Sequence, residues 1–258
     1  MRKKKSSSPA EPWLNTAKNW VSLQQTFAEG TRTISALAEE NKLLGVDINK
    51  KNLTHPLVLD VSSPSIQLGL AKTDGWIQLA SSKNQALDGI FQLVQQLDIN
   101  LHKVDSIFFC AGPGSTLGLR LALAFIKTLE WERKGELKLF SYNALDLACR
   151  MAKHYPSYIQ APFRLGWRLV RSSPNRKAIG KIEILERKEA LEKFPDSLHL
   201  EDSRDKSSPI TTGNLLKYDL NKTKGLEDLF LVSKAKNELK VFSPLPPKFK
   251  KWNPQIKF

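Results

Sequence analysis

Apolar positions along this chain change their period several times, and each change predicts a different kind of element. Trp13, Ala17, Trp20, Gln24 and Phe27 recur at helical spacing, as do Ile34, Leu37, Ala38 and Leu44. Gly30 separates the two runs and Gly45 is a natural stop, so the spacing predicts a helical hairpin. An amphipathic basic helix of this kind suits a membrane surface or an acidic partner, although packing on the protein's own body is the commoner reason for such a stripe. The polar, lysine-bearing segment from Asp47 to His55 reads as a linker. From Leu57 the period shortens to two, predicting strands over Leu57–Val61, Ile66–Ala71 and Trp76–Ala80, with the Asp-Gly hairpin signal inside Lys72–Gly75. Leu87, Ile90, Phe91, Val94 and Leu97 then form one apolar helix face. After it come a strand at Ile107–Ala111, a Gly-Pro-Gly-Ser turn, a second helix to about Arg133, a strand at Leu137–Phe140 and a third helix at Ala144–Lys153.

The second half carries weaker patterns. Phe163, Leu165, Trp167 and Leu169 alternate with Arg164, Gly166 and Arg168, predicting one strand with a buried and a charged face, and Ile179–Leu185 reads as its successor. A helix is expected over Glu186–Phe194. Residues 195 to 225 read as loop or disorder, with short apolar returns at Leu229–Val232 and Val241–Phe242, before an extended basic tail from Pro244 to Pro254.

Three antiparallel strands followed by alternating helix and strand is the order of a ribonuclease-H-like half, the unit duplicated in the actin, sugar-kinase and chaperone-ATPase superfamily. The expected fold is therefore α/β, with mixed sheets flanked by helices, two lobes of which the second is degenerate, and an N-terminal helical extension. The corresponding division is a basic tail and helical extension over 1–54, an N-terminal lobe over 55–154, and a degenerate C-terminal lobe with a basic tail over 155–258.

Composition adds two constraints. With 258 residues of which 41% are hydrophobic, the chain builds a real core. Forty Lys and Arg against 26 Asp and Glu give a formal charge of +14, which suits an anionic partner such as RNA or an acidic protein surface and equally serves solubility. Cys110 and Cys149 support neither a disulfide framework nor a cysteine metal site, and reducing cytoplasm is the expected location. No apolar run approaches the roughly 20 residues of a membrane span, so no membrane association is expected.

Residues 104 to 120 carry the densest information, because an apolar strand runs into a glycine-rich turn that opens a helix. Gly112, Gly114 and Gly118 permit a sharp turn and close approach, Pro113 stiffens it, and Ser115 is placed as the N-cap. Free amides at such a helix start suit an anion. The spacing is neither a P-loop, since Leu119 and Arg120 stand after Gly118 where Lys and Ser/Thr are needed, nor a dinucleotide fingerprint, since the glycines run Gly-x-Gly-x-x-x-Gly. An anion site and a structural turn both remain open here.

Taken together, Leu59-Asp60-Val61-Ser62, the meander, the first helix and Gly112-Pro-Gly-Ser-Thr-Leu-Gly-Leu-Arg120 resemble the TsaB family, also called YeaZ or the Gcp-like domain, with the two motifs about 50 residues apart. Thr116 and Leu117 replace the family's Phe-Thr pair, Ala111 stands beside a missing glycine, and Ser82-Lys83 replaces His-Ser. Pro162-Phe-Arg-Leu-Gly166 keeps only the Arg and Gly of an Asp-Ala-Arg-x-Gly motif. The resemblance covers residues 57 to about 170; the first 54 residues lie outside it. It implies a bacterial, cytoplasmic, noncatalytic subunit for the threonylcarbamoyladenosine (t6A) modification of tRNA. Such a subunit pairs with a TsaD-like catalytic protein, works with a TsaE-like ATPase, meets tRNA through the complex, and forms a possible homodimer in isolation. The implied docking residues are Leu87, Ile90, Phe91, Val94 and Leu97 on the first helix and Leu117, Leu121 and Phe125 on the second. The implied motif loop is Asp60, Gly112, Pro113, Gly114, Ser115, Gly118 and Arg120. No cofactor of its own is implied, ATP or ADP entering only at the partner interface.

The residues themselves also bear on two other classes. A metal-dependent glycoprotease needs convergent ligands, but His55, His102, His154 and His199 are scattered and pair with neither cysteine at ligand spacing, so no metal site is expected. Ser115 lacks the Gly-x-Ser-x-Gly order of a nucleophile elbow, and no catalytic residue is expected. Asp60 is the one acid placed where ATP-using relatives hold metal or water; as a structural residue it would accept hydrogen bonds from the Ser62 and Ser63 amides. A basic tRNA-binding protein without a catalytic partner is the other alternative, using Arg2–Lys5 and Lys248–Lys251 for phosphates with Phe249 and Trp252 for stacking.

Overall fold

A computed structural model describes residues 53–152, 154, 156–164, 166–172, 181–200, 214–236, 239–240 and 242. The expected N-terminal hairpin, both basic tails, most of the linker and the 201–213 part of the expected loop lie outside these residues. The chain divides into two units, Met1–Asn52 and Leu53–Phe258, and the second holds everything described below.

Strand β1 (Pro56–Asp60) is buried at every position, the mark of a central strand covered on both faces. It pairs antiparallel with β2 (Ile66–Lys72), which pairs antiparallel with β3 (Gly75–Ser82). Lys72 faces Gly75 across a two-residue Thr73–Asp74 turn, so the glycine of the Asp-Gly signal begins the returning strand. On its other side β1 runs parallel to β4 (Ser106–Gly112), and β4 to β5 (Lys138–Asn143). The antiparallel β11 (Ser233–Ala235) closes the row, giving the order β11-β5-β4-β1-β2-β3.

Because side chains alternate across a strand, the two faces of this sheet carry different residues. Leu57, Leu59, Ile66, Leu68, Ile107 and Phe109 point to one face, where α1 (Ala86–Gln96) and α2 (Thr116–Glu132) cover them with Ile90, Leu93, Leu119 and Ile126. The opposite face packs on α3 (Ala144–Met151) and α5 (Leu226–Val232), and Phe108 stacks on Phe140 at 4.6 Å with Phe230 set edge-on to both.

The second sheet repeats the first. Strands β6 (Tyr158–Arg164), β7 (Trp167–Ser172) and β8 (Lys181–Glu186) form an antiparallel meander; α4 (Arg187–Lys193) follows; then β9 (Leu198–Leu200) runs parallel to β6, and β10 (Leu215–Leu216) parallel to β9. The resulting order, β10-β9-β6-β7-β8, is that of β5-β4-β1-β2-β3. Two mixed sheets flanked by helices, each with the ribonuclease-H-like strand order, are the architecture the sequence pattern implied. The second is abbreviated in its last two strands.

Three local expectations are corrected. Phe163 to Leu169 is not one strand: the chain reverses at Gly166, with φ at 77°, and β6 pairs back on β7. On the supposed charged face of that strand Arg168 is buried, as is Arg171 further along β7. Within 195–225 the structure places β9, β10 and a 3-10 turn at Leu220–Lys222, and the apolar return near Leu229 is the helix α5. Sheet pairing supplied by distant strands overrides the loop-like composition of this region.

The buried arginines explain themselves through partners. Arg171 Nε donates to Asp146 Oδ1 of α3 at 2.6 Å and its Nη1 reaches Cys149 Sγ at 2.6 Å, while Arg150 Nε donates to Asp228 Oδ1 of α5 at 2.7 Å. Burial pushes the Cys149 thiol up to about 12, so it stays protonated. Arg168 Nη1 lies 3.4 Å from His199 Nδ1. Since arginine only donates, Nδ1 accepts and the ring proton sits on Nε2, facing Ser197 Oγ at 3.4 Å. Ser197 Oγ in turn accepts from Gln160 Nε2 and donates to the Phe194 carbonyl, each at 2.8 Å. The imidazole thus points its proton at the hydroxyl, the wrong sense for a base activating a serine.

Desolvation, assisted by Arg168, pushes His199 down to about 4. In the unfolded chain it titrates near 6.5, so from pH 6.5 down towards 4 the unfolded state takes up a proton that the folded state refuses, and stability falls. Urea titrations at intervals across that window are expected to show this loss for the natural chain and a flatter profile for His199→Gln; parallel profiles would remove His199 as the cause.

Candidate functional site: an outer helix seam and the loop beneath it

The turn at Gly112–Ser115 is built against the end of β1. Gly112 adopts φ of 130°, a region side chains avoid, and a Cβ at Gly114 would come within 2.6 Å of the Ser62 Cα. The turn therefore lies flush on the β1–β2 connection, and its glycines serve that close packing. Ser115 caps α2, its Oγ accepting from the Gly118 amide at 3.3 Å. Pro113 is half-buried in the turn, and Arg120 is exposed one helical turn further on.

Asp60 lies beneath this turn, fully buried. Its Oδ1 accepts from the Ser62 amide at 2.8 Å and the Ser62 hydroxyl at 2.6 Å; its Oδ2 accepts from Tyr142 Oη at 2.7 Å and Tyr218 Oη at 2.6 Å. Ser63 is not among these partners; its hydroxyl donates to the Ser65 carbonyl instead. Four donors occupy the carboxylate, so this acid is a structural anchor with no lone pair turned to a ligand. Burial, reinforced by the Asp60 charge, holds Tyr142, Tyr218 and the Cys110 thiol well above their ordinary ranges, and all three remain neutral. The two tyrosines were invisible in the pattern of the chain: Tyr142 ends a strand two positions from β1, and Tyr218 falls in a stretch that reads as loop.

The predicted helix residues divide by facing. Ile90 and Phe125 point at the sheet and are buried, together with Leu93, which the sequence pattern missed. Val94, Leu97 and Leu121 are half-buried. Leu87, Phe91 and Leu117 face outwards, 44%, 50% and 69% exposed. The Phe91 ring meets that of Phe125 edge-on at 5.7 Å, joining the two helices. On α2 the outward positions continue as Leu117, Leu121, Ala124, Thr128 and Trp131, alternating steps of four and three residues, and Trp131 is 85% exposed. On α1 the same steps join Leu87, Phe91 and Val94. This is the spacing of a seam that packs against other helices. Trp131 was not among the expected residues, although its spacing from Leu117 marks it.

A family model described as TsaD: tRNA N6-adenosine threonylcarbamoyltransferase matches residues 80–159, which take in α1, the glycine turn, α2 and α3. Over that segment the chain is similar to the TsaD family. Two solved structures are similar to this chain. One is YeaZ from Pseudomonas aeruginosa, 18% identical, covering 69% of this chain and 89% of that chain at a TM-score of 0.45. The other is an uncharacterized protein with similarity to peptidase YeaZ from Pseudomonas aeruginosa, 17% identical with the same coverage and TM-score. No curated protein matches. Among the described residues no three His, Cys, Asp or Glu side chains are grouped to hold a metal ion, and no helix is long and apolar enough to cross a membrane.

Removing one donor from the Asp60 anchor is expected to cost about 1.5–3 kcal/mol for Tyr218→Phe, as for a hydrogen bond to a charged group. Asp60→Asn exchanges one oxygen for an amide that cannot accept, and is expected to cost more than Tyr218→Phe. Chemical denaturation orders the two; equal stability of Tyr218→Phe and the natural chain would contradict the anchoring role.

Proposed function

We propose that this chain is a noncatalytic partner of a TsaD-like protein in the threonylcarbamoyladenosine modification of tRNA, docking through the outer seam of α1 and α2. The observation that carries the reading is the exposure of Leu87, Phe91, Leu117 and Trp131 on two adjoining helices whose inner faces already fill the core. Large apolar side chains aligned on one surface are the mark of an interaction site, and their stepped spacing suits a helical counterpart. The similarity of residues 80–159 to the TsaD family, and the TsaB-like glycine turn, support the choice of partner.

A supporting role also fits the chemistry of the anchor. Asp60 spends its carboxylate on Ser62, Tyr142 and Tyr218 and holds the turn from which α2 starts, so it shapes the docking helix without acting on a substrate. A TsaE-like ATPase and tRNA enter through the complex, and the setting we infer is a bacterial cytoplasm. The same seam would hold two copies of the chain together when the partner is missing.

The test separates surface from core. Leu117→Glu with Trp131→Glu is expected to abolish copurification with the cell's TsaD-like protein and to lower the t6A content of its tRNA, while stability changes by about 0.5 kcal/mol or less at each exposed position. Leu93→Ala on the inner face is expected to cost about 2–5 kcal/mol. Copurification that survives the double charge substitution would refute docking at this seam.

A further inference from the structure

On the sheet face opposite α1 and α2, a cavity of about 830 Å³ opens between the β1–β2 turn, the end of β3 and the segment around Tyr218. Its place follows from register: Gln67 alternates with Ile66 and Leu68, which point to the helices, and Ser81 is paired with Gln67. The wall is fixed from below. Buried Gln67 donates through Nε2 to the Tyr218 carbonyl at 3.5 Å and accepts the Leu220 amide at 2.8 Å, and Trp76 Nε1 donates to the Leu220 carbonyl at 3.1 Å. These bonds hold a segment some 150 residues distant in the chain against the sheet, so the opening is formed before any ligand arrives.

The rim of this opening is cationic. Lys83 approaches from the end of β3 and Lys217 from the facing segment, both exposed. Among the described lining residues the one carboxylate, Asp219, turns Oδ1 to the amide and side chain of Asn221, at 3.0 and 3.2 Å. Ser63, Ser65, Ser81, Gln67 and Asn221 add polar groups, the Ser63 hydroxyl being spent on the Ser65 carbonyl. The one aromatic residue among them, Tyr218, has its hydroxyl committed to Asp60. Two ammonium groups and serine hydroxyls, with no free ring among the described lining residues for stacking, suit a tetrahedral oxyanion rather than a base or an apolar ligand.

We propose that this cavity is a phosphate-ester site, and that with a chain charge of +14 the phosphate it takes is that of an RNA backbone. The site lies on the sheet face opposite the helix seam, and it does not rest on the docking reading. Full-length chain, Lys83→Ala/Lys217→Ala and a charge-matched Lys127→Ala/Lys138→Ala control would be titrated with a fluorescently labelled tRNA transcript at several salt concentrations. Loss of roughly tenfold in affinity and a salt slope flatter by roughly 1–2 in the cavity variant alone is the expected result. A second arm follows the thermal midpoint with inorganic pyrophosphate. Protection lost in the cavity variant while tRNA binding is unchanged would keep the phosphate chemistry and overturn RNA as its source. Equal behaviour of the cavity variant and the control in both arms would overturn the site.

Discussion

A single buried carboxylate organises this molecule. Asp60 ends the central strand, where a lone negative charge out of water would be costly, and four donors make it tolerable. Two come from the next turn of chain, one from the far end of β5, and one from Tyr218, which arrives from beyond the second sheet. Satisfying one group thus fixes the β1–β2 connection, the edge of the parallel strands and the return of the chain at once. The glycine turn then lies on Ser62, and α2 starts from it. The direction of α2 is inherited from a hydrogen-bond requirement two layers below.

The parts of this arrangement that are local were legible in the chain. Period-two runs at Leu57–Val61 and Ile66–Ala71, the Gly-Pro-Gly-Ser turn and the Ser115 cap all depend on neighbours within a few residues, and the structure places strands, turn and cap there. The inner and outer faces of α1 were blurred for a simple reason. Leu87, Ile90, Phe91, Leu93, Val94 and Leu97 cover nearly half the circumference at about 100° per residue, so periodicity alone does not say which edge of that face meets the sheet. What stayed hidden is what depends on distance in sequence: Tyr218 on Asp60, Gln67 on Leu220, and Arg171 on Asp146. Arg168 reads as a solvent-facing position in the alternation of Phe163 to Leu169, and is buried because another strand supplies its partner. The short strands β9 and β10 are stabilised by pairing rather than by their own composition, which is why a polar, serine-rich region conceals them.

The two sheets share one strand order but have been put to different use. The first keeps full-length strands, the glycine turn and a helix pair with apolar residues on both sides. The second keeps the order with its last strands cut to three and two residues, and carries a buried Gln160, Ser197, His199 and Arg168 network.

Helix α3 deserves a last consequence. It is buried along nearly its whole length, and its Asp146 and Arg150 are tied on one side to Arg171 of the second sheet and on the other to Asp228 of α5. Swinging the sheets apart about this helix would strand buried ions without counter-ions, at about 3–5 kcal/mol for each pair broken. The two sheets are latched through α3, and hinge-like opening between them is suppressed.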